Sequence, residues 1–467
     1  MAERDNTAAL GAAFEPDYES RPTFDQRLTR MVGRMVKRRA QAILRWGLGA
    51  IGAALRDWQE PLPPLRAGDP RIRRILVVRV DLLGDVVLST PAVRALRRAY
   101  PRAKIDMLVQ APFDGILAGE PDINRILVWN PHVWRNPRDW LRPGSWRAAL
   151  ATLGRMRLPR YDLAVSISGD IGSIVTRLSG ARRRVGYAGE AYGSFMTDPV
   201  PGARYLTHQH ETRYVLGLAA AAGGIVQPGD EIPRLSAAPE PRARMRAALA
   251  EARERLGTTG PTIALHAGAR NGQAKRWPAR HWAALARMLG DELGALVVLT
   301  GAPNEAPLAG DVERMAGRPL LNLCGQTSLS DLKALLAECD LVISGDSGPM
   351  HIACALGRPV IVLHGPTDPA ISGPTTPDAI VLRLGLWCSP CYDASATAEC
   401  PFGNPTCMKD MAPGAVFAVA RRRLAELGLI QLDTPAPSKP LIPLISLAAQ
   451  PIPQHVEQER PAYERND

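Results

Sequence analysis

The sequence contains no uninterrupted apolar run of the roughly 20 residues needed to cross a hydrocarbon core. Its first residues, Met1-Ala-Glu-Arg-Asp5, have neither the charge order nor the apolar centre of an export signal. Both absences predict a chain that stays in the cytoplasm. Cysteine is scarce: seven in 467 residues, an odd number that predicts thiols rather than a disulfide framework. Several chemical signatures are also missing. Neither expected first turn carries the Gly-x-Gly-x-x-Gly that lets a helix N-terminus meet a pyrophosphate, which removes the nicotinamide reading. There is no P-loop, no Gly-x-Ser-x-Gly elbow and no His-Glu-x-x-His zinc pattern. Apart from His208 and His210, expected at the surface, the histidines are scattered.

What is present suits a soluble α/β enzyme. The length allows two core-bearing domains plus tails, and 46% hydrophobic with 22% charged residues is ordinary for that class. A formal charge of +11 points to an anionic partner: phosphates, an acidic membrane surface or nucleic acid. Composition does not choose among them.

The most informative stretch runs from Asp340 to Gly365. Leu341 to Ser344 and Pro359 to Leu363 are short apolar runs of the kind found in parallel strands buried on both faces. Between them, Gly345-Asp346-Ser347-Gly348-Pro349 forms a loop before a short helix, with Pro349 suited to the first helical position. Ligands of open α/β sheets bind at the carboxyl ends of strands, so the loop is a candidate phosphate or sugar site. A plain turn with Asp346 or Ser347 as helix cap accounts for the same residues.

Strands and helices alternate through the rest of the chain and predict two doubly wound, Rossmann-like domains facing across a cleft. Residues 1–25 are polar and expected to be disordered. Over residues 26–59, Leu28, Met31, Val32, Met35 and Val36 fall at helical spacing among Arg27, Arg30, Arg34 and Lys37, predicting a basic amphipathic helix. Such a helix either lies on an anionic bilayer, each basic group adding roughly 1 kcal/mol, or packs on this protein or a partner. Residues 60–72 form a proline-rich linker, and 73–225 the first domain. Inside it, the Asn130 to Pro159 insertion, with Trp134, Trp140 and Trp146, suits a flap, a membrane-facing surface or simple packing. Residues 226–241 are the interdomain linker, 242–430 the second domain, and 431–467 a proline-dense tail expected to be disordered.

Four polar constellations should meet at the cleft. Asp85 follows the first strand, where its carboxylate can act as a general base, with Asp81 a nearby rival. Lys275 and Arg276 place two cations after the strand ending at His266, suited to a diphosphate. Glu305 follows the strand ending at Thr300 and suits ribose or base groups. The fourth is the loop Asp346, Ser347 and Gly348, with His351 one helical turn on. Arg182, Arg183 and Arg184 form a further basic cluster. Cys388, Cys391, Cys400 and Cys407 include one Cys-x-x-Cys, half of a structural zinc pattern; an irregular loop of free thiols is the other reading.

Taken together, Val78-Arg-Val-Asp-Leu-Leu-Gly-Asp85 with Thr90-Pro-Ala92, Lys275-Arg-Trp-Pro278, Gly345-Asp-Ser-Gly-Pro-Met-His351 and the loop near Cys388 resemble the ADP-heptose:lipopolysaccharide heptosyltransferases, glycosyltransferase family 9. The resemblance runs from about Arg74 to Gly428 and implies a GT-B fold, an N-terminal acceptor domain and a C-terminal nucleotide-sugar domain. By the same carry-over, Asp85 is the catalytic base and Lys275 the diphosphate lysine. Glu305 is a nucleoside contact, and Asp346 to His351 form the donor loop. The implied reaction is inverting transfer of heptose from ADP-heptose to a lipopolysaccharide-core or related glycolipid, with no cofactor or metal required. Arg182 to Arg184 stand as candidate acceptor contacts. The implied partners are the donor, the glycolipid and the inner face of the cell membrane, not nucleic acid. One stretch departs from the family pattern: after the fourth strand, where an Asp-x-Gln-Gly pattern is common, this chain reads Ser166-Ile-Ser-Gly-Asp-Ile-Gly172. A nucleotide-sugar epimerase, which would turn over donor without acceptor, and a non-catalytic nucleotide-binding membrane protein, indifferent to loss of Asp85, are the alternatives.

Overall fold

A computed structural model describes residues 63–129, 143–190, 192–204, 209–269, 272–391, 399–431 and 447–448. The expected N-terminal disorder and basic helix, Trp134, Trp140, His208 and most of the tail lie outside these residues. Everything described belongs to one compact unit, Pro61–Asp467.

Two sheets form the scaffold. The first contains β1 (Arg74–Arg79), β2 (Lys104–Gln110), β3 (Arg125–Trp129), β4 (Leu163–Ser166), β5 (Arg183–Tyr187) and β6 (Asp198–Val200), all parallel, in the order β3-β2-β1-β4-β5-β6. The second contains β7 (Thr262–His266), β8 (Leu296–Thr300), β9 (Leu321–Asn322), β10 (Leu341–Gly345), β11 (Val360–Leu363), β12 (Ala379–Leu382) and β13 (Leu447–Ala448), in the order β13-β12-β11-β10-β7-β8-β9. Both sheets repeat one winding, in which the chain builds outward on one side of its first strand and then crosses to the other. The direction reverses between β1 and β4 in the first sheet and between β7 and β10 in the second. Crevices at such reversals, at the carboxyl ends of the strands, are where open α/β sheets bind ligands. The expected tail departs from its sequence reading at one point: Leu447 and Ala448 pair antiparallel with β12.

The helices are α1 (Leu83–Val87), α2 (Thr90–Ala99), α3 (Pro143–Arg157), α4 (Asp170–Leu178), α5 (Glu211–Ala221), α6 (Pro239–Leu256), α7 (Ala279–Leu293), α8 (Ala306–Ala316), α9 (Leu329–Ala337), α10 (Gly348–Ala355), α11 (Pro369–Ser372), α12 (Thr406–Lys409) and α13 (Pro413–Glu426). The insertion after β3 therefore carries a helix, α3, and α6 opens inside the expected linker. Two helices, α1 and α2, rather than one continuous helix lead from β1 to Tyr100. Pro91 has no N–H for the carbonyl of Val87, which instead accepts from Thr90 Oγ1 at 2.9 Å, while Ser89 Oγ donates to the carbonyl of Asp85 at 2.7 Å. The break leaves Asp85 on a one-turn helix of its own, close to the end of β1.

β1 shows why the strands carry near-continuous apolar runs. Ile75 and Val77 enter one core cluster and Leu76 and Val78 another, all with no exposed surface. Each such side chain stabilises the fold by about 1.5–3 kcal/mol. The cluster holding Ile75 also takes in Met350 and Ile352 of α10 and Leu335 of α9, so one apolar core joins the two lobes.

The lobes also interlock at α1 and α10. A Cβ at Gly84 would stand 2.7 Å from Cδ2 of His351, and one at Gly348 would stand 2.8 Å from Cδ2 of Leu83. Each short helix thus lacks a side chain where the other inserts one. At the linker the contact is polar: Lys333 Nζ donates to the carbonyl of Ala118 and to Glu120, whose carboxylate also accepts from the Ser236 amide. Gly348→Ala should therefore destabilise the protein by about 1–3 kcal/mol through overpacking. Because Leu83→Ala vacates the same space, the pair measured by denaturant unfolding should cost less than the sum of the single changes; strict additivity would rule out the interlock.

Candidate active site

The carboxyl end of β1 carries a charge that its surroundings make unusual. Arg79 is the last residue of a buried strand and has no exposed surface. Its guanidinium donates to Glu211 at 2.7 Å and to the carbonyl of Ile167 at 3.0 Å, and lies 3.1 Å from Asp85 and 3.2 Å from Asp81. A second guanidinium, Arg204, donates to the same three carboxylates: Asp85 at 3.0 Å, Glu211 at 3.1 Å and Asp81 at 3.3 Å. Burial opposes the charge on Arg79, but the three acids outweigh it and raise its pKa further. Burial would likewise raise the Glu211 carboxyl, yet Arg204 and Arg79 hold it below its usual range. Glu190 extends the network by accepting from the Arg204 amide and from Tyr214.

Within this lattice Glu211 is buried, whereas the side chains of Asp81 and Asp85 keep about a quarter of their surface open. Asp85 is held from both sides. One oxygen accepts from Arg204, and the other accepts the Leu82 amide at 3.2 Å. A carboxylate fixed in this way can take a proton from a bound hydroxyl without first changing rotamer.

The second lobe supplies a matching set at its own reversal point. Trp277 is buried, donating to the carbonyl of Met411 and meeting Trp282 edge-on. It anchors Lys275, two residues earlier, whose ammonium donates to Asp346 at 2.8 Å. Burial alone would raise the Asp346 carboxyl; Lys275 overrides it and holds it at about 2. Asp346 is thus engaged with Lys275. Ser347 occupies the cap position of α10 but makes no cap bond, its hydroxyl meeting Ser344 at 2.9 Å. The plain helix-cap reading therefore does not describe this loop. The Glu305 carboxylate fills the space where Gly268 has no side chain, which brings it to the end of β7. Arg276 is exposed beside Lys275. His351 is buried against Gly84, so the Asp346 to His351 stretch and the first-lobe motif touch.

Other candidates sit elsewhere. Arg183 pairs with Asp198 and donates to the carbonyl of Pro63, and Arg184 donates to the carbonyls of Phe195 and Ala181. Both are buried structural residues, and of the three only Arg182 is exposed. His210 is also not at the surface as expected. It caps α5 and bonds the carbonyl of Gly373 across the lobes at 3.0 Å. All seven cysteines are free thiols, and among the described residues no group of three or more His, Cys, Asp or Glu side chains is arranged to hold a metal ion. Arg79, Arg204, Glu190 and Glu211 escaped the sequence reading. Arg79 had a signal, as a charge ending an apolar strand; the other three are distant in sequence and joined only by the fold.

The protein-family model described as glycosyltransferase family 9 (heptosyltransferase) matches residues 150–401, more than half of the chain. Lipopolysaccharide heptosyltransferase 2 of Escherichia coli K12 is 31% identical over 328 residues, covering 67% of this chain and 88% of that protein. Lipooligosaccharide heptosyltransferase 2 of Haemophilus ducreyi is 28% identical over 329 residues, with the same coverage of 67% and 88%. Among solved structures, a family 9 glycosyl transferase from Veillonella parvula superposes with a TM-score of 0.61 at 22% identity, covering 76% of this chain and 97% of that one. The Escherichia coli ADP-heptose lipopolysaccharide heptosyltransferase II superposes at 0.58 and 25% identity, over 76% and 99%. The two-lobed architecture is the GT-B fold of these enzymes.

Buried histidines give the site a pH dependence of definite sign. Burial pulls His351 down to about 4, against the attraction of Asp346, and also lowers His210, His266 and His364. The unfolded chain takes up these protons near 6.5, where the folded chain still refuses them. This stability is therefore complete above about pH 6.5 and is lost as the pH falls toward 4. The thermal midpoint should drop between about pH 7.5 and 5, and less steeply in His351→Asn; a midpoint that rises on acidification would contradict the assignment.

Proposed function

The chain belongs to glycosyltransferase family 9, and from that premise we propose that it moves heptose from ADP-heptose to a lipopolysaccharide-core or related glycolipid acceptor, with inversion at the anomeric carbon. One juxtaposition carries this reading: the clamped Asp85 carboxylate and the Lys275–Asp346 pair stand at the ligand crevices of the two sheets, and His351 against Gly84 joins their loops. The relatives above are named for heptose transfer, and the donor named in one solved structure is ADP-heptose.

The chemistry follows from the groups present. Asp85 accepts the proton of the acceptor hydroxyl as that oxygen attacks the anomeric carbon, and the bond from that carbon to the diphosphate oxygen breaks. Charge builds on the departing diphosphate, where Lys275, Arg276 and the first amides of α10 stabilise it. In this role Lys275 is shared between the diphosphate and Asp346, leaving Asp346 able to accept from sugar hydroxyls. Glu305, at the end of β7, accepts from the nucleoside. Side chains supply the cations, so the reading requires no cofactor. Arg182 is the remaining candidate of its cluster for the acceptor. Among the described residues no helix is long and apolar enough to cross a membrane; in this reading residues 26–59 bring the enzyme to the inner membrane face, where the acceptor is anchored.

Two variants separate the roles. Asp85→Asn keeps the size of the side chain but cannot take a proton, so kcat should fall at least about a hundredfold with donor affinity nearly unchanged. Near-normal turnover would move the base to Asp81. Lys275→Ala should weaken ADP binding, read by calorimetry, along with turnover, because a charge-assisted contact to the diphosphate is lost; ADP affinity equal to that of the parent would remove Lys275 from the donor site.

A further inference from the structure

The helix α3 presents an outer face that the fold leaves uncovered. Its inner side packs well, with Met156 fully buried and Thr152 donating back to the carbonyl of Ala148. The opposite side is apolar where solvent-facing helices are polar. Trp146 is 42% exposed and Leu150 62%, and Leu158, one residue past the helix end, 82%. With Gly154 these fall four residues apart, one stripe along the helix. Its exposed neighbours are Arg147 and Arg155, and no acidic residue occurs anywhere from Pro143 to Arg160.

We propose that this face of α3 is a membrane-docking surface, with Trp146, Leu150 and Leu158 entering the headgroup boundary of an anionic bilayer and Arg147 and Arg155 meeting its phosphates. The chemistry chooses the occupant. Arginines lining an apolar stripe match a surface that is greasy beneath and negatively charged above, and Trp is favoured at that boundary because its ring is amphipathic. A second copy of the same face does not fit, since it would set arginines against arginines with no acid on either side.

The position agrees. α3 reaches the carboxyl edge of the sheet through Thr152, which donates to the carbonyl of Val128 at 3.4 Å; Val128 lies level with Val109 and, through it, with Arg79, at the edge that carries Asp85. A bilayer lying along α3 therefore meets the first lobe next to the crevice where a lipid-linked hydroxyl must arrive. The residues of this contact are distinct in sequence from residues 26–59. Its function as an acceptor-delivering surface rests on the glycolipid reading above, but its membrane affinity does not.

The test uses the full chain and vesicles of phosphatidylcholine with about 30% phosphatidylglycerol. The double variant Leu150→Glu, Leu158→Glu should require at least about fivefold more lipid for half-maximal sedimentation. Arg147→Glu with Arg155→Glu should lose preference for anionic over neutral vesicles, and added salt should weaken the parent in the same direction. Because the altered side chains are exposed, the thermal midpoints should match the parent, and turnover on a water-soluble acceptor should be unchanged while turnover on a vesicle-embedded acceptor falls. Sedimentation of both variants within about twofold of the parent would overturn the proposal and return this face to another segment of the chain or to a protein partner. Loss of vesicle binding in a chain inactive on every acceptor would leave the docking surface standing and remove only the glycolipid reading.

Discussion

A guanidinium buried at the end of β1 is the constraint on which the first lobe depends. Taking such a charge out of water costs several kcal/mol unless carboxylates surround it, and Arg79 has three within 3.2 Å. Meeting that demand draws together β1, the one-turn helix carrying Asp85, the start of α5 and the segment of Arg204. The same demand determines how Asp85 is presented. Its carboxylate belongs to a lattice of opposed charges, open on one side, and its direction is set by Arg204, Arg79 and the Leu82 amide. Glu211 sits at the buried back of this lattice, where it binds both arginines and so orients Asp85 through them.

Much of this was legible in the chain before any coordinates. Apolar runs such as Leu341 to Ser344 are short, β-branched in part and bounded by glycine, so the buried parallel strands follow from composition and length alone. The strand-end residues Asp85, Lys275, Glu305 and Asp346 could be placed because position after a parallel strand is itself a prediction of position in space. What could not be read were partnerships. Arg204 and Glu211 are separated from Arg79 by more than a hundred residues, and nothing in a single sequence joins them. Arg183 and Arg184 misled for the opposite reason: a run of arginines resembles a surface, but β5 is paired on both edges and its successive side chains turn to opposite, covered faces, where Arg183 met Asp198 and Arg184 the carbonyls of Phe195 and Ala181. The break between α1 and α2 is legible in principle, since Pro91 cannot donate to the carbonyl of Val87, although the apolar period continues across it.

The two sheets also explain why one chain can divide its work. Each repeats the same winding and so each opens a crevice at the same place, but the first fills that place with carboxylates locked by arginines and the second with a lysine and an aspartate. One crevice is suited to removing a proton, the other to receiving negative charge. The two sets stand on separate sheets, and each carries its own counter-charge: Asp85 is paired with Arg79 and Arg204, and Lys275 with Asp346.

The contact between α1 and α10 has a mechanical consequence. Near the linker the lobes are tied by Lys333, Glu120 and Ser236, bonds that would have to be broken for that end to part. At the site end the described contact is one of fit: Leu83 and His351 each rest where the other helix has only hydrogen. Apart from the bond between His210 and the carbonyl of Gly373, parting these described contacts exchanges dispersion for hydration. The molecule is built like a book with a stitched spine and an unglued fore-edge.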